Sequence, residues 1–159
     1  MVPRYIDKAG ATFVNAVDPA NFLSDIYGFK AIPNGLLVDE NGILRYMQFG
    51  GFDIRKPDTY NLVSNWVVNS TVEISDNNSV RLSADEYHGE ANGLFQQGLE
   101  MYELGNVTGA LLKWREGAAL EPDNYIIRKQ IWAVEYPEKF YSSDAVDSDW
   151  QREQLRKGV

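Results

Sequence analysis

Residues 94 to 122 read LFQQGLEMYELGNVTGALLKWREGAALEP and contain two amphipathic stretches separated by a glycine-asparagine pair. The first stretch belongs to a predicted helix over 86–104, and the second predicts a helix over 107–120. In each helix, apolar residues recur at the three- and four-residue spacing of a buried stripe. Because only a short glycine-containing turn separates the helices, we predict that they form an antiparallel hairpin.

A third helix is predicted immediately downstream, over residues 123–136. Apolar residues cover most of its circumference, so it must be buried between several neighbours. The partners that the chain offers are the tail aromatics Phe140 and Trp150, the outer face of a helix at 58–68, and a second copy of the chain. We favour the tail together with self-packing, because the segment between the two halves lacks an apolar run that would dock them.

The first half of the chain has a mixed α/β pattern. β-branched and aromatic residues at 12–17 predict a strand, which Asp18-Pro19 ends with residues typical of a helix start. The strand pair that follows is predicted to be antiparallel, because its two strands flank the turn sequence DENG. The other predicted elements are the last turns of a helix at 2–8, a helix at 20–27, strands at 36–38 and 43–47, and a helix at 58–68.

A polar segment separates the two halves of the chain. Residues 69–85 read NSTVEISDNNSVRLSAD, which is rich in Asn, Ser and Asp and has no helical periodicity. We therefore predict three parts: an α/β domain at 1–68, a polar linker at 69–90, and a helical region with a C-terminal tail at 91–159.

The composition excludes several classes of function. The 159 residues include no cysteine, which excludes disulfides and thiolate metal sites, and one histidine, which excludes metal sites with two histidines. We expect no cofactor. The net charge of −8 argues against nucleic-acid binding, which needs clustered Lys and Arg.

No apolar run is long enough to cross a membrane, and the first residues are not typical of a signal peptide. We expect no membrane partner and a cytoplasmic location, or an extracytoplasmic one if an upstream signal or anchor exists.

The single histidine, His88, lies in the acidic, glycine-flanked stretch DEYHGE at 85–90. No motif places a Ser or Cys nucleophile near it in the sequence. We therefore predict a histidine at the surface or at a helix start, in preference to a catalytic one.

Several motifs in the first half occur together and carry a family resemblance. They are FVNAVD at 13–18, YGFKAIP at 27–33, LVDENG at 37–42 and the pair Gly50-Gly51. Together they resemble the later part of a thioredoxin-like domain, of the kind found in bacterial thiol-disulfide oxidoreductases of the TlpA and ResA type. The resemblance implies that Pro33 takes the family's cis-proline position and that the backbone of Ala31, Ile32 and Pro33 binds an extended peptide.

The redox motif of that family is missing from this chain. Its Cys-x-x-Cys would fall before Met1, and without a thiolate the family's disulfide chemistry has no nucleophile. We expect no enzyme activity from the chain as given; the alternative is the C-terminal part of a thiol-disulfide oxidoreductase whose Cys-x-x-Cys lies upstream. The family's central strand is missing too, which leaves unpaired sheet edges. A rearranged sheet, a strand-exchanged dimer or a truncated sequence would each account for them. We predict a homodimer in which residues 12–17 or the N-terminal segment of one copy cover the edge of the other.

The hairpin sequence resembles a single tetratricopeptide repeat. The small residues at 98 and 110 let the two helices approach closely, and Trp114 fills the groove between them. One and a half repeats cannot form a peptide-holding superhelix, for which about three are needed. The matching residues are Leu94, Gly98, Gly105, Ala110, Trp114 and Pro122.

The predicted fold class is thus an incomplete α/β thioredoxin-like sheet joined to an all-α TPR-like helical hairpin. The predicted function is that of a redox-inactive, non-catalytic protein-interaction module with a protein or peptide partner.

Overall fold

The structure is a computed structural model, which describes residues 2–69, 86–142 and 147–157. The first part of the chain forms α1 (Val2–Ala9), α2 (Phe22–Tyr27), β1 (Gly35–Val38), β2 (Leu44–Gln48) and α3 (Pro57–Asn69). The second part forms α4 (Glu86–Glu103), α5 (Val107–Leu120), α6 (Tyr125–Glu135), α7 (Glu138–Tyr141) and α8 (Ser148–Lys157). Residues 70–85 of the predicted linker lie outside the described residues, and 86–90 belong to α4.

The predicted fold class is wrong. The described residues are mostly helical, and their sheet consists of β1 and β2 alone, so they form no thioredoxin-like α/β sheet. The strand predicted at 12–17 is irregular, with the side chain of Val14 95% exposed. β-branched residues favour a strand only where a neighbouring strand accepts its backbone hydrogen bonds, and no described segment pairs with 12–17.

The antiparallel strand pair is confirmed. Leu36 lies opposite Met47 and Leu37 opposite Tyr46, and the register shifts between Leu37 and Val38. The turn is closed by the Asp39 carboxylate, which accepts hydrogen bonds from the backbone N–H groups of Asn41 and Ile43, both at 2.9 Å. Leu37 and Met47 are the buried apolar side chains of this hairpin.

The helical hairpin of α4 and α5 is also confirmed, and it contains the main core. Trp114 on α5 is fully buried, and its indole Nε1 donates a hydrogen bond to the Phe95 carbonyl on α4 at 3.0 Å. A Cβ atom at Gly98 would overlap the indole ring, so the glycine is needed for this close approach. Buried residues of the cluster are Ala91, Phe95, Ala110, Trp114, Ile127 and Ile131.

The third helix, α6, packs against α5 on one side and against the tail on another. The Trp150 ring of α8 meets Trp132 edge-on, with ring centroids 5.8 Å apart, and also contacts Tyr136 and Phe140. Ile127, Ile131 and Trp132 are buried. The expected packing of the tail aromatics on this helix is therefore confirmed, whereas the self-packing expected with it stays a prediction.

Residues 18–31 of the first half lie along α4 and reach the start of α6. The Asn21 amide donates to Asn92 at 2.8 Å, and Gln96 donates to the Ala20 carbonyl at 2.9 Å. The Lys30 carbonyl accepts from the backbone N–H of Tyr125 at 2.7 Å. Polar contacts, not an apolar run, thus hold this segment against the helices and position the features described next.

Candidate functional site

A buried polar cluster lies where residues 24–30 meet the helices. Its centre is Glu121, which ends α5 and is 2% exposed. The carboxylate accepts from Lys30 at 2.7 Å and from the Asn124 amide at 2.7 Å, and it lies 3.0 Å from His88 Nδ1. Asn124 in turn caps α6 by accepting from the backbone N–H groups of Ile126 and Ile127. Three side chains from three segments therefore share one buried carboxylate.

His88 completes this cluster from the first turn of α4. The prediction that His88 lies at the surface is wrong, because its side chain is buried. The prediction that it lies at a helix start is confirmed. Its Nε2 lies 2.9 Å from the Ser24 carbonyl, which can only accept a hydrogen bond, so Nε2 donates. Nδ1 lies 3.0 Å from both oxygens of the Glu121 carboxylate, so the ring is placed between two acceptors. The imidazole ring therefore fastens the α2 segment to the end of α5.

The contacts Ser24–His88–Glu121 contain the residue types of a hydrolytic triad, but their geometry is structural. Ser24 is fully buried, and its hydroxyl donates to the Phe29 carbonyl at 2.6 Å. The Ser24 oxygen is 3.4 Å from His88 Nε2, whose proton is directed to the nearer Ser24 carbonyl. A hydroxyl that donates elsewhere, beside a nitrogen that is itself a donor, cannot be activated by that nitrogen.

The charges of the cluster stabilise one another. Burial alone would raise the pKa of Glu121, but the hydrogen bonds from Lys30, Asn124 and His88 outweigh it and lower that pKa from its ordinary value of 4.5. Burial alone would lower the pKa of Lys30, but Glu121 and Asp123 raise it above its ordinary value of 10.5. Both groups are therefore charged over a wide range around neutral pH.

An open pocket of about 350 Å³ lies beside this cluster. Its walls come from residues on both sides of α2, from α6 and from α7. Ile32 is 67% exposed, so it presents an apolar side chain to solvent at this pocket. The lining residues are Asn21, Ala31, Ile32, Tyr125, Ile126, Lys129, Gln130, Ala133, Phe140 and Tyr141.

The predicted peptide-binding residues are partly brought together here. Ala31 and Ile32 line the pocket, whereas Pro33 does not. The Ile32–Pro33 peptide bond is cis. The Ala31 carbonyl accepts from the Asn34 amide, while the backbone of Ile32 has no hydrogen-bond partner among residues 2–69, 86–142 and 147–157.

The residues that match the tetratricopeptide pattern lie in the hairpin core instead. Ala110 and Trp114 are fully buried, Gly98 contacts the indole ring, and Gly105 forms the turn with a φ of 81°. Leu94 is partly buried, and Pro122 follows the buried Glu121. Gly98, Ala110 and Trp114 hold the two helices together, and none of the six matching residues lines the pocket.

The sequence did not single out Tyr125, Lys129 or Gln130 as site residues. The available signal was the excess of apolar positions on α6, which indicated a further face in need of a neighbour. That face is shared between the core, the tail and the pocket.

Within the described part of the chain, no group of three or more His, Asp and Glu residues is placed to hold a metal ion. No helix described here combines the length and the apolar character needed to span a bilayer. Comparison of the chain with models of protein families, with curated proteins and with solved structures finds no match.

Proposed function

We propose that this chain is a non-catalytic protein-interaction module, and that the pocket beside Ile32 binds an extended segment of a partner protein. The observation that carries the proposal is the pocket itself, an apolar cavity with exposed Ile32 and Tyr141 at a place where three parts of the chain meet. A volume of about 350 Å³ lies at the low end of the ~300–1,000 Å³ typical of ligand sites. It suits one or two apolar side chains of a peptide.

The backbone of Ile32 supports the same mode of binding. Its N–H and C=O are free of partners in the described residues, and they follow directly on Ala31, which lines the pocket. An extended peptide pairs with free backbone groups through main-chain hydrogen bonds, while its alternate side chains enter a pocket. Affinity would come from the backbone and specificity from the cavity.

A selection from random peptides displayed on phage tests this proposal. We expect enriched peptides to share an apolar residue and to shift the amide NMR signals of residues 31–32, 125–133 and 140–141. Ile32→Asp should weaken their binding by more than about tenfold, because it places a charge against an apolar side chain. Val67→Asp, at a similarly exposed position on α3, serves as the control and should bind normally. Failure to enrich any peptide, or signal shifts confined to another surface, would contradict the proposal.

We also propose that the chain forms a homodimer through its first half. Support comes from apolar side chains that the described residues leave uncovered, among them Phe13, Val14 and Val17. The two-stranded sheet also has an outer edge on each strand, and such edges template pairing with another chain. Residues 12–17 of one copy would cover the sheet edge of the other.

Light scattering at tens of micromolar protein tests the dimer. We expect twice the mass of the 18.0 kDa chain. Val14→Asp should shift the species toward monomer, because it places a charge in an apolar interface, whereas Leu104→Asp at the hairpin turn should not. A clean monomer for the unmodified chain would rule this dimer out.

A further inference from the structure

The pocket beside Ile32 differs in charge from the rest of the molecule. The chain has 23 acidic against 15 basic residues, yet no Asp or Glu is among the described residues that line this pocket. Within residues 2–69, 86–142 and 147–157, the one charged residue of its lining is Lys129 on α6. An acidic protein thus presents a cation at its open apolar pocket, where the described lining contains no acidic residue.

Lys129 also differs from the other lysines of its surroundings. Lys30 is paired with Glu121 and Asp123, and Lys139 with Asp147. The side chain of Lys129 is partly buried and makes neither an ion pair nor a hydrogen bond with any residue that the structure describes. Its charge is therefore available to a bound group.

We propose that the peptide bound in this pocket is acidic, with an Asp or Glu carboxylate that pairs with Lys129 beside the apolar side chain that fills the cavity. The inference rests on the proposed function and adds the chemical class of the ligand. In an extended peptide, side chains two residues apart lie on the same face. The carboxylate is therefore expected two residues from the apolar anchor.

The carboxylate comes from a side chain and not from a peptide C-terminus. A terminal carboxylate is usually captured by a group of free backbone N–H donors. The first-turn N–H groups of α6 are already used: Tyr125 donates to the Lys30 carbonyl, and Ile126 and Ile127 donate to the Asn124 side chain. Lys129 offers a side-chain cation one turn further along the helix.

Three labelled peptides test the inference by fluorescence anisotropy. The first is acetylated and amidated Gly-Ser-Leu-Ser-Asp-Ser-Gly, the second has Asn in place of Asp, and the third ends in a free carboxylate at Leu-Ser. We expect the Asp peptide to bind about fivefold more tightly than the Asn peptide, the upper range for a solvent-accessible ion pair. Lys129→Gln should remove this preference, and Lys129→Arg should keep it.

The outcomes separate the inference from the proposed function. If the Asp and Asn peptides bind equally well to the unmodified chain and neither binds Ile32→Asp, the inference that the ligand is acidic is wrong, but the proposal that the pocket binds a peptide is supported. If the peptide with the free carboxylate binds most tightly, the inference that the carboxylate comes from a side chain is wrong. If none of the three binds at millimolar concentration, both the inference and the pocket proposal fail.

Discussion

Replacing Glu121 with alanine is expected to lower the free energy of unfolding by about 3 to 5 kcal/mol, the usual cost of removing one partner from a buried charged cluster. The substitution leaves His88 and Asn124 buried without the acceptor that they share. Lys30 is less affected, because its side chain is 27% exposed and regains water. Chemical denaturation followed by circular dichroism measures the change.

Two further variants isolate the role of the buried carboxylate. Glu121→Gln keeps the shape and one oxygen acceptor, so its cost should be smaller than that of alanine. Glu116→Ala is the matched control, because this glutamate lies on the same helix and pairs with Lys113 at the surface. Exposed pairs of this kind contribute less than about 1 kcal/mol. Equal losses for Glu116→Ala and Glu121→Ala would contradict a special role for the cluster.

The pH dependence of stability follows from the direction of the two pKa shifts. The pKa of Glu121 is lower in the folded chain than its ordinary 4.5, so its contribution is present above pH 4.5 and is lost as the pH falls through the folded value. The pKa of Lys30 is raised above 10.5, so its contribution is present below that pH and is lost at higher pH. The stability difference between the unmodified chain and Glu121→Gln should therefore shrink on acidification below pH 4.5.

The helical hairpin was predictable from the sequence because its determinants are local. Gly98, Ala110 and Trp114 lie at spacings that fix which faces meet, and a glycine turn fixes the direction of the second helix. The turn of the strand pair is equally local, since Asp39 bonds to residues two and four positions away. In both cases the information lies within one short stretch.

The features that the sequence did not predict correctly are those that depend on contacts between residues far apart in the chain. Residues 12–17 have the composition of a strand, but composition does not specify whether another strand is available for pairing. The cluster at Glu121 joins Lys30, His88 and Asn124 from three separate segments, and no spacing rule in the sequence connects them. The thioredoxin-like resemblance indicated Ala31 and Ile32, whereas Lys129 joins them only because α6 folds against their segment.

Replacing Trp114 with alanine is expected to destabilise the helical region by about 3 to 5 kcal/mol, the usual range for truncating a buried aromatic side chain. The indole is fully buried between α4 and α5, where it contacts Phe95 and Tyr102. Collapse of the two helices onto the cavity is limited, because Gly98 already lets their backbones approach closely. Thermal and denaturant unfolding measure the loss.

A comparison with Trp114→Phe separates packing from hydrogen bonding. Phenylalanine keeps an aromatic ring but removes the Nε1 donor, so the Phe95 carbonyl loses the partner it has at 3.0 Å. We expect an intermediate loss of about 1 to 3 kcal/mol from the unsatisfied carbonyl and the missing ring atoms. Leu104→Ala, at an 86% exposed position, should change stability by less than about 0.5 kcal/mol. If Trp114→Ala lowered the free energy of unfolding as little as Leu104→Ala, the contact of Gly98 with the indole would not be what holds α4 against α5. The stability of the hairpin would then come from the part of the core that packs on α6.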